Sequence, residues 1–311
     1  MHAVIPGETV NILVLGAGEL GMSVLRELAM VALSKGGARI TVLLRPSAVT
    51  TQDASKMHAI AELRGLGIDT LQADVIHDSI EELAEHFGRF DTVVSCVGFI
   101  AGAGTQLKLA RAALVSGVKR YVPWQFGVDY DVIGKGSPQD LFDEQLEVRE
   151  LLRAQRTTEW IIISTGMFTS FLFEPAFGVV DLAQNTVHAL GSWDTQVTVT
   201  TPKDIGMLTA KIIFADPRLA NEVIFIAGDT LTYTQLADTV DATLNRTVSR
   251  VEWSVPKLNN DLAAAPDEQM RKYRAVFAEG KGVAWDKHNT FNAANGIDLM
   301  TAADWIEQNL K

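Results

Sequence analysis

Glycines at positions 16, 18 and 21 follow the apolar run Ile12–Leu15 in "NILVLGAGELG", a spacing that suits a backbone coming close to a phosphate. Gly16 permits a tight turn off a strand, Gly18 has no side chain to hold a pyrophosphate away, and Gly21 lets the next helix pack against the strand. The N–H groups at the start of that helix, around Glu19 and Leu20, and the positive end of its dipole then face the phosphates. The competing reading of the same glycines is a tight structural turn.

A second residue bears on which dinucleotide is held. The end of the next apolar run, "VLLRPSA", places Arg45 where an NAD site commonly carries Asp or Glu, with Ser47 two residues on. A carboxylate repels a 2′-phosphate, whereas a guanidinium makes a charge-assisted contact with it. NADP(H) is therefore the expected cofactor, and Lys56 at the start of the following helix adds positive charge. The alternative is an arginine that simply faces solvent.

These residues need a frame that puts strand ends side by side. Strands are expected at 9–15, 38–44, 68–73, 91–96, 119–123 and 160–164, with helices at about 19–33, 54–65, 78–87, 104–116 and 138–155. Several strands are continuous apolar runs, as a parallel sheet covered on both faces requires. Ser137 is expected to cap the helix at 138, with Pro138 at its first position and Asp140 as its capping-box acid. The fold expected is α/β: a Rossmann-type doubly wound parallel sheet with a smaller C-terminal α/β substrate domain. Residues 1–166 form the NADP(H)-binding domain, with 197–228 contributing in part, and 167–311 a smaller, discontinuous substrate-binding region. Within the latter, strands are expected at 197–200, 222–227 and 248–254 and helices at 231–244 and 300–309.

Composition excludes several function classes. The 27 Lys+Arg against 38 Asp+Glu give a net charge of −11, which disfavours nonspecific binding to nucleic acid or anionic membrane. The single cysteine, Cys96, rules out an internal disulfide framework and a cysteine-built metal site. No apolar window is long enough for a membrane span, and the first ten residues, "MHAVIPGETV", lack the features of a secretory signal. The cytoplasm is the expected compartment.

With Gly16, Gly18, Gly21 and Arg45 in place, the sequence resembles the NmrA-like and isoflavone-reductase-like branch of the atypical short-chain dehydrogenases. The resemblance extends through "DTVVSCVG" at 91–98, "TQLKLARAALVSGVKRYVPWQFGVDYD" at 105–131 and "TPKDIGMLTAKII" at 201–213. It implies an NADPH-binding domain, a substrate domain and a cleft between them. It sets Cys96, Val97 and Gly98, together with Gln106, Pro123 and Phe126, near the cofactor, with Phe126 beside the nicotinamide and Trp124 toward the substrate. Gln106 has a buried or capping role as its alternative.

The departure from the family lies in the following helix. The plant reductases carry a catalytic lysine there, and the corresponding run Phe142-Asp143-Glu144-Gln145-Leu146-Glu147-Val148-Arg149 puts Gln145 at its position. Glutamine orients a carbonyl but cannot act as a cationic proton donor. Gln145 interrupts the apolar stripe Leu141, Val148, Leu152, so it either faces a ligand or satisfies a backbone carbonyl. Tyr130 and Lys135 are the candidate replacement donors, each with an exposed loop position as its alternative.

Other constellations are thin. The histidines 2, 58, 77, 86, 188 and 288 form no metal-ligand spacing, although His188 is a candidate substrate contact. Met167, Phe168 and Phe171, with Phe173 and Phe177, either wall a site for an aromatic or lipophilic substrate or pack a core. The sequence reads as an NADPH-dependent reductase of a small organic molecule, monomeric or homodimeric. An NADP(H)-sensing regulatory protein with a protein partner, and a non-redox isomerase or cyclase, are the alternatives.

Overall fold

The computed structural model describes residues 9–49 and 53–311; the expectation drawn from the first ten residues and His2 falls largely or wholly outside them. The chain alternates strand and helix in the order β1 (Val10–Leu15), α1 (Glu19–Lys35), β2 (Ala38–Leu44), α2 (Pro46–Val49), α3 (Ala54–Gly65), β3 (Asp69–Gln72), α4 (Ile80–Phe87), β4 (Thr92–Ser95), α5 (Thr105–Ser116) and β5 (Arg120–Val122). It continues through α6 (Tyr130–Ile133), α7 (Leu141–Arg153), β6 (Glu159–Ser164), β7 (Met167–Phe168), β8 (Val180–Asp181), β9 (Thr186–Leu190), β10 (Gln196–Thr200) and α8 (Pro202–Ile213). The remaining elements used below are β11 (Glu222–Phe225), β12 (Asp229–Thr232), α9 (Tyr233–Leu244), β13 (Ser249–Trp253), α10 (Val255–Ala264) and α11 (Gln269–Ala278).

The principal sheet has seven strands in the order β11-β6-β5-β4-β1-β2-β3. From β3 to β6 every pairing is parallel, and the order reverses beside β1, which makes the carboxyl ends of β1 and β4 a topological switch point. The central strands are buried along their length because helices cover both faces: Ile12–Leu15 of β1 and Val93–Val94 of β4 are fully buried. Tyr121, Val148, Leu152 and Ile162 belong to the same core cluster as Leu13, Leu15 and Val93.

The chain forms two compact units. One contains the described residues through Trp124 with Glu147–Ile162 and Ile205–Val223; the other contains Gln125–Leu146, Ile163–Asp204 and Ile224–Lys311. Helix α7 and strands β6 and β11 each start in one unit and end in the other. The second unit has two three-stranded sheets, β12-β10-β7 and β13-β9-β8. Its helix α9 is fixed by a capping box, Thr232 Oγ1 accepting from the Gln235 N–H while the Gln235 amide oxygen accepts from the Thr232 N–H.

Helix α7 begins three residues later than its sequence signals indicate. Ser137 spends its hydroxyl on the Gln139 carbonyl, and the Gln139 side-chain oxygen accepts from the Leu141 N–H at 3.3 Å. Asp140 pairs with Lys272 at 2.9 Å instead of serving a capping box. Local side-chain hydrogen bonds thus compete with the helix for its first turn.

Candidate functional site

The glycine turn shows three separate physical solutions. Gly16 leaves β1 at φ +86°, in the left-handed region. A Cβ at Gly21 would overlap the Gly16 carbonyl oxygen, so α1 can pack this tightly only without a side chain there. Gly18 has ordinary extended dihedrals and nothing within 4 Å of the place a Cβ would take; its missing side chain leaves open space. The first α1 amide to find an intrahelical acceptor is Met22, on the Gly18 carbonyl at 2.8 Å. The amides before it lie in the first turn, where no intrahelical acceptor is available.

This turn borders a cavity of about 590 Å³ in the first unit. Gly16, Gly18, Arg45, Lys56, Cys96, Val97 and Gly98 all line it, so the sequence-predicted cofactor residues at the ends of β1, β2 and β4 come together. The Arg45 and Lys56 side chains are exposed and have no ion-pair or hydrogen-bond partner among the described residues. Cys96 is buried, and burial pushes its thiol well above the usual range, so it is a neutral wall atom.

The other predicted cofactor residues stand elsewhere. Gly21 and Leu20 are buried in the α1 packing, and the Glu19 and Ser47 side chains are exposed at the starts of α1 and α2. Gln106 is buried on α5 and donates its amide to the Val97 carbonyl at 2.8 Å, which braces the turn after β4. Pro123 is buried just past β5. Trp124, expected toward substrate, lies against the Gly98 α-carbon and edge-on to Phe99 at 4.6 Å. Phe126 is buried in the second unit.

Sequence reasoning passed over the apolar part of the cavity. Leu43 and Leu44 of β2, Ala59, Ile60 and Leu63 of α3, and Val75 and Ile76 after β3 line it as well. Nothing in their types separates them from ordinary core residues. The available signal was position: Leu43 and Leu44 end β2, which pairs with β1, and Val75 and Ile76 follow β3, which pairs with β2.

In the second unit, Gln145 is fully buried on α7. Its backbone carbonyl accepts from the Gln125 side chain at 2.8 Å, but neither its amide nitrogen nor its amide oxygen has a hydrogen-bond partner. The backbone-carbonyl alternative for this side chain is therefore not realised. The buried face of α7 runs through Phe142, Gln145, Val148, Arg149 and Leu152, with Leu141 only half-buried. Tyr130 is buried, not looped into solvent, and packs edge-on to Phe142 at 5.0 Å, one turn before Gln145. Lys135 is exposed in the turn after α6.

The aromatic residues form a connected packing network. Phe142 meets Tyr273, Tyr273 meets Phe171, and Phe171 meets Phe177 at centroid distances of 6.0, 5.8 and 4.7 Å. Burial raises the Tyr273 phenol to about 12. Met167 is buried in β7, which pairs with β10, and Phe168 follows it half-buried.

His188 on β9 stacks on Trp253 of β13 at 4.0 Å, and its Nδ1 bonds the Gly178 carbonyl at 2.7 Å. Burial lowers its pKa below the ordinary 6.5, with Arg274 and Lys257 pushing the same way and the Gly178 bond and Asp181 opposing. A lowered base means the unfolded chain takes up a proton first as pH falls. Stability then rises with pH between the folded pKa and about 6.5 and is flat above it. Denaturant melts at about pH 5.5 and about pH 7.5 should show this loss on acidification. His188→Phe, which keeps a ring on Trp253, should reduce the difference; an unchanged difference would assign it to other groups.

Among the described residues, no helix is long and apolar enough to cross a membrane, and no three His, Cys, Asp or Glu are grouped to hold a metal ion.

The model of the NmrA-like family matches residues 8–302. An NmrA-like family domain-containing oxidoreductase of Gibberella moniliformis is 50% identical over 299 residues, covering 96% of this chain and 97% of that protein. Two solved structures share the fold. AtPrR2 with NADP+ and (+)pinoresinol superposes with a TM-score of 0.79 at 20% identity, covering 97% of this chain and 99% of that one. Leucoanthocyanidin reductase of Vitis vinifera, solved with NADPH, gives a TM-score of 0.75 at 19% identity over 96% and 98% of the two chains.

Proposed function

The chain belongs to the NmrA-like family, and from that membership we propose that it is an NADP(H)-dependent reductase of a small aromatic or lipophilic organic molecule. The observation that carries this reading is the cavity in the first unit, with an open glycine turn on one side and two cations, Arg45 and Lys56, at the end of β2 and the start of α3 whose side chains have no partner among the described residues. The donor set fits a phosphorylated dinucleotide. First-turn amides of α1 suit the pyrophosphate, and the Arg45 guanidinium suits a 2′-phosphate. The relative from Gibberella moniliformis is itself named an oxidoreductase, and the two structural relatives were solved with NADP+ and NADPH.

When bound, the reduced cofactor supplies the hydride. The protein's own share is to fix the phosphates, to hold the β4 turn through Gln106, and to orient the reacting group. Gln145, in the second unit, is the candidate for holding a polar group of the substrate, because a buried amide with both atoms unpartnered can donate and accept without changing its own charge. Tyr130, packed edge-on against Phe142 one helical turn before Gln145, is the buried one of the two candidate proton donors.

Turnover separates this reading from its rival. Purified protein is screened for NADPH oxidation against phenolic, aromatic and carbonyl compounds. Gln145→Leu should hold or raise the melting temperature, since it removes a buried amide that has no partner at a cost of about 1–3 kcal/mol. The same change should lower kcat/KM at least about tenfold if the amide binds the reacting group. Loss of stability with unchanged kcat/KM would return Gln145 to a structural role. Tight NADPH binding with no turnover across the panel would favour an NADP(H) sensor, a reading supported by glutamine standing where the resemblance expects a lysine.

A further inference from the structure

Helix α5 contributes no side chain to the cavity wall, yet it grips two segments that do. Gln106 holds the turn after β4 through the Val97 carbonyl. On the segment after β3, the Lys108 ammonium donates to the Ile76 carbonyl at 2.8 Å and to the Asp78 carbonyl at 3.0 Å. That segment is internally folded. Asp74 accepts from the Ile76 and His77 amides, and Asp78 accepts from the Asp74 amide. Its residues Val75 and Ile76 both line the cavity, and Ile76 is 37% exposed.

We propose that Lys108 is a positioning residue for the nucleotide: by tying the 74–78 loop to α5, it holds Ile76 in place as one wall of the slot for the purine ring. The inference rests on the dinucleotide reading above and extends it to a residue outside the cavity. The slot's other apolar surfaces, Ile60 and Leu63, come from α3 and are fixed by that helix. On the loop, Val75 is fixed in the buried core, whereas Ile76 beside it is 37% exposed and outside that core. A flat aromatic ring gains more from apolar contact on both faces when both walls are fixed before it arrives, because no wall has then to be ordered on binding. Lys108 binds neutral carbonyls and is half-buried, so its positive charge serves as a two-pronged donor.

The test uses the whole protein and calorimetry with NADPH and with adenosine 2′,5′-bisphosphate, which lacks the nicotinamide half. Lys108→Met should weaken both ligands by the same factor, about tenfold, while Lys108→Arg keeps most of the affinity. Gln106→Leu, which frees the turn after β4, should weaken NADPH more than the bisphosphate. Equal affinities in wild type and Lys108→Met would overturn the proposal, as would an equal loss of both ligands in Gln106→Leu, which would mark a general loosening. A wild type that binds neither ligand would instead refute the dinucleotide reading. A measurement without any variant guards against misfolding: in the wild type, amine acetylation should modify Lys108 more slowly than the exposed Lys56, and equal rates would overturn the tie.

Discussion

Arg45→Glu should weaken NADPH binding by about 2–3 kcal/mol, a factor of about 30–150, while changing NADH binding by less than about threefold. The guanidinium lines the cavity, is exposed, and has no partner among the described residues. Replacement by glutamate removes a charge-assisted contact and sets a like charge against the 2′-phosphate. Exposure to solvent keeps the effect below that of a fully buried pair. With the side chain exposed and without a partner among the described residues, the melting temperature of the unliganded variant should match that of wild type. Isothermal titration with both cofactors checks the result; equal losses for NADPH and NADH would remove Arg45 from the phosphate site.

Alanine at Gly18 and alanine at Gly21 should fail in opposite ways. At Gly21 the new methyl meets the Gly16 backbone oxygen, which no side-chain adjustment relieves. The expected cost is about 3 kcal/mol or more, and it lowers the melting temperature by roughly 5–10 °C. At Gly18 the dihedrals suit any residue and the surrounding space is open, so the fold should hold. The methyl then projects where the pyrophosphate must approach, and NADPH affinity should fall by at least about tenfold. Thermal melts and titration on both variants distinguish the two outcomes. A Gly18→Ala protein that binds NADPH like wild type would show that the phosphates do not pass over this turn.

The glycine turn also shows how far the sequence could be read. Strand, tight turn and helix at 10–35 followed from an apolar run ending in a glycine spacing, and the structure gives Gly16 its positive φ and Gly21 its close approach. The parallel order from β3 to β6 was legible because continuous apolar runs alternating with helical segments admit few arrangements. Helix α7 was placed too early because Ser137 and Pro138 match a start signal, while the Gln139 side chain takes up the first helical amide in their stead. Ile60, Val75 and Ile76 were illegible as cavity wall, since a ligand slot and a core ask for the same side chains. The Lys108 contacts span some thirty residues of chain, and no local pattern encodes them. The place of Gln145 on an apolar stripe was legible from its spacing, but only the packed structure reveals an amide left without partners.

Calorimetric titration of the wild-type protein with NADPH and NADH tests the phosphate site at the glycine turn and Arg45. NADPH should bind saturably at one site per chain, with an affinity for NADH lower by at least about tenfold. No heat and no shift in melting temperature with excess NADPH, or equal affinities for the two cofactors, would contradict an NADP(H) site.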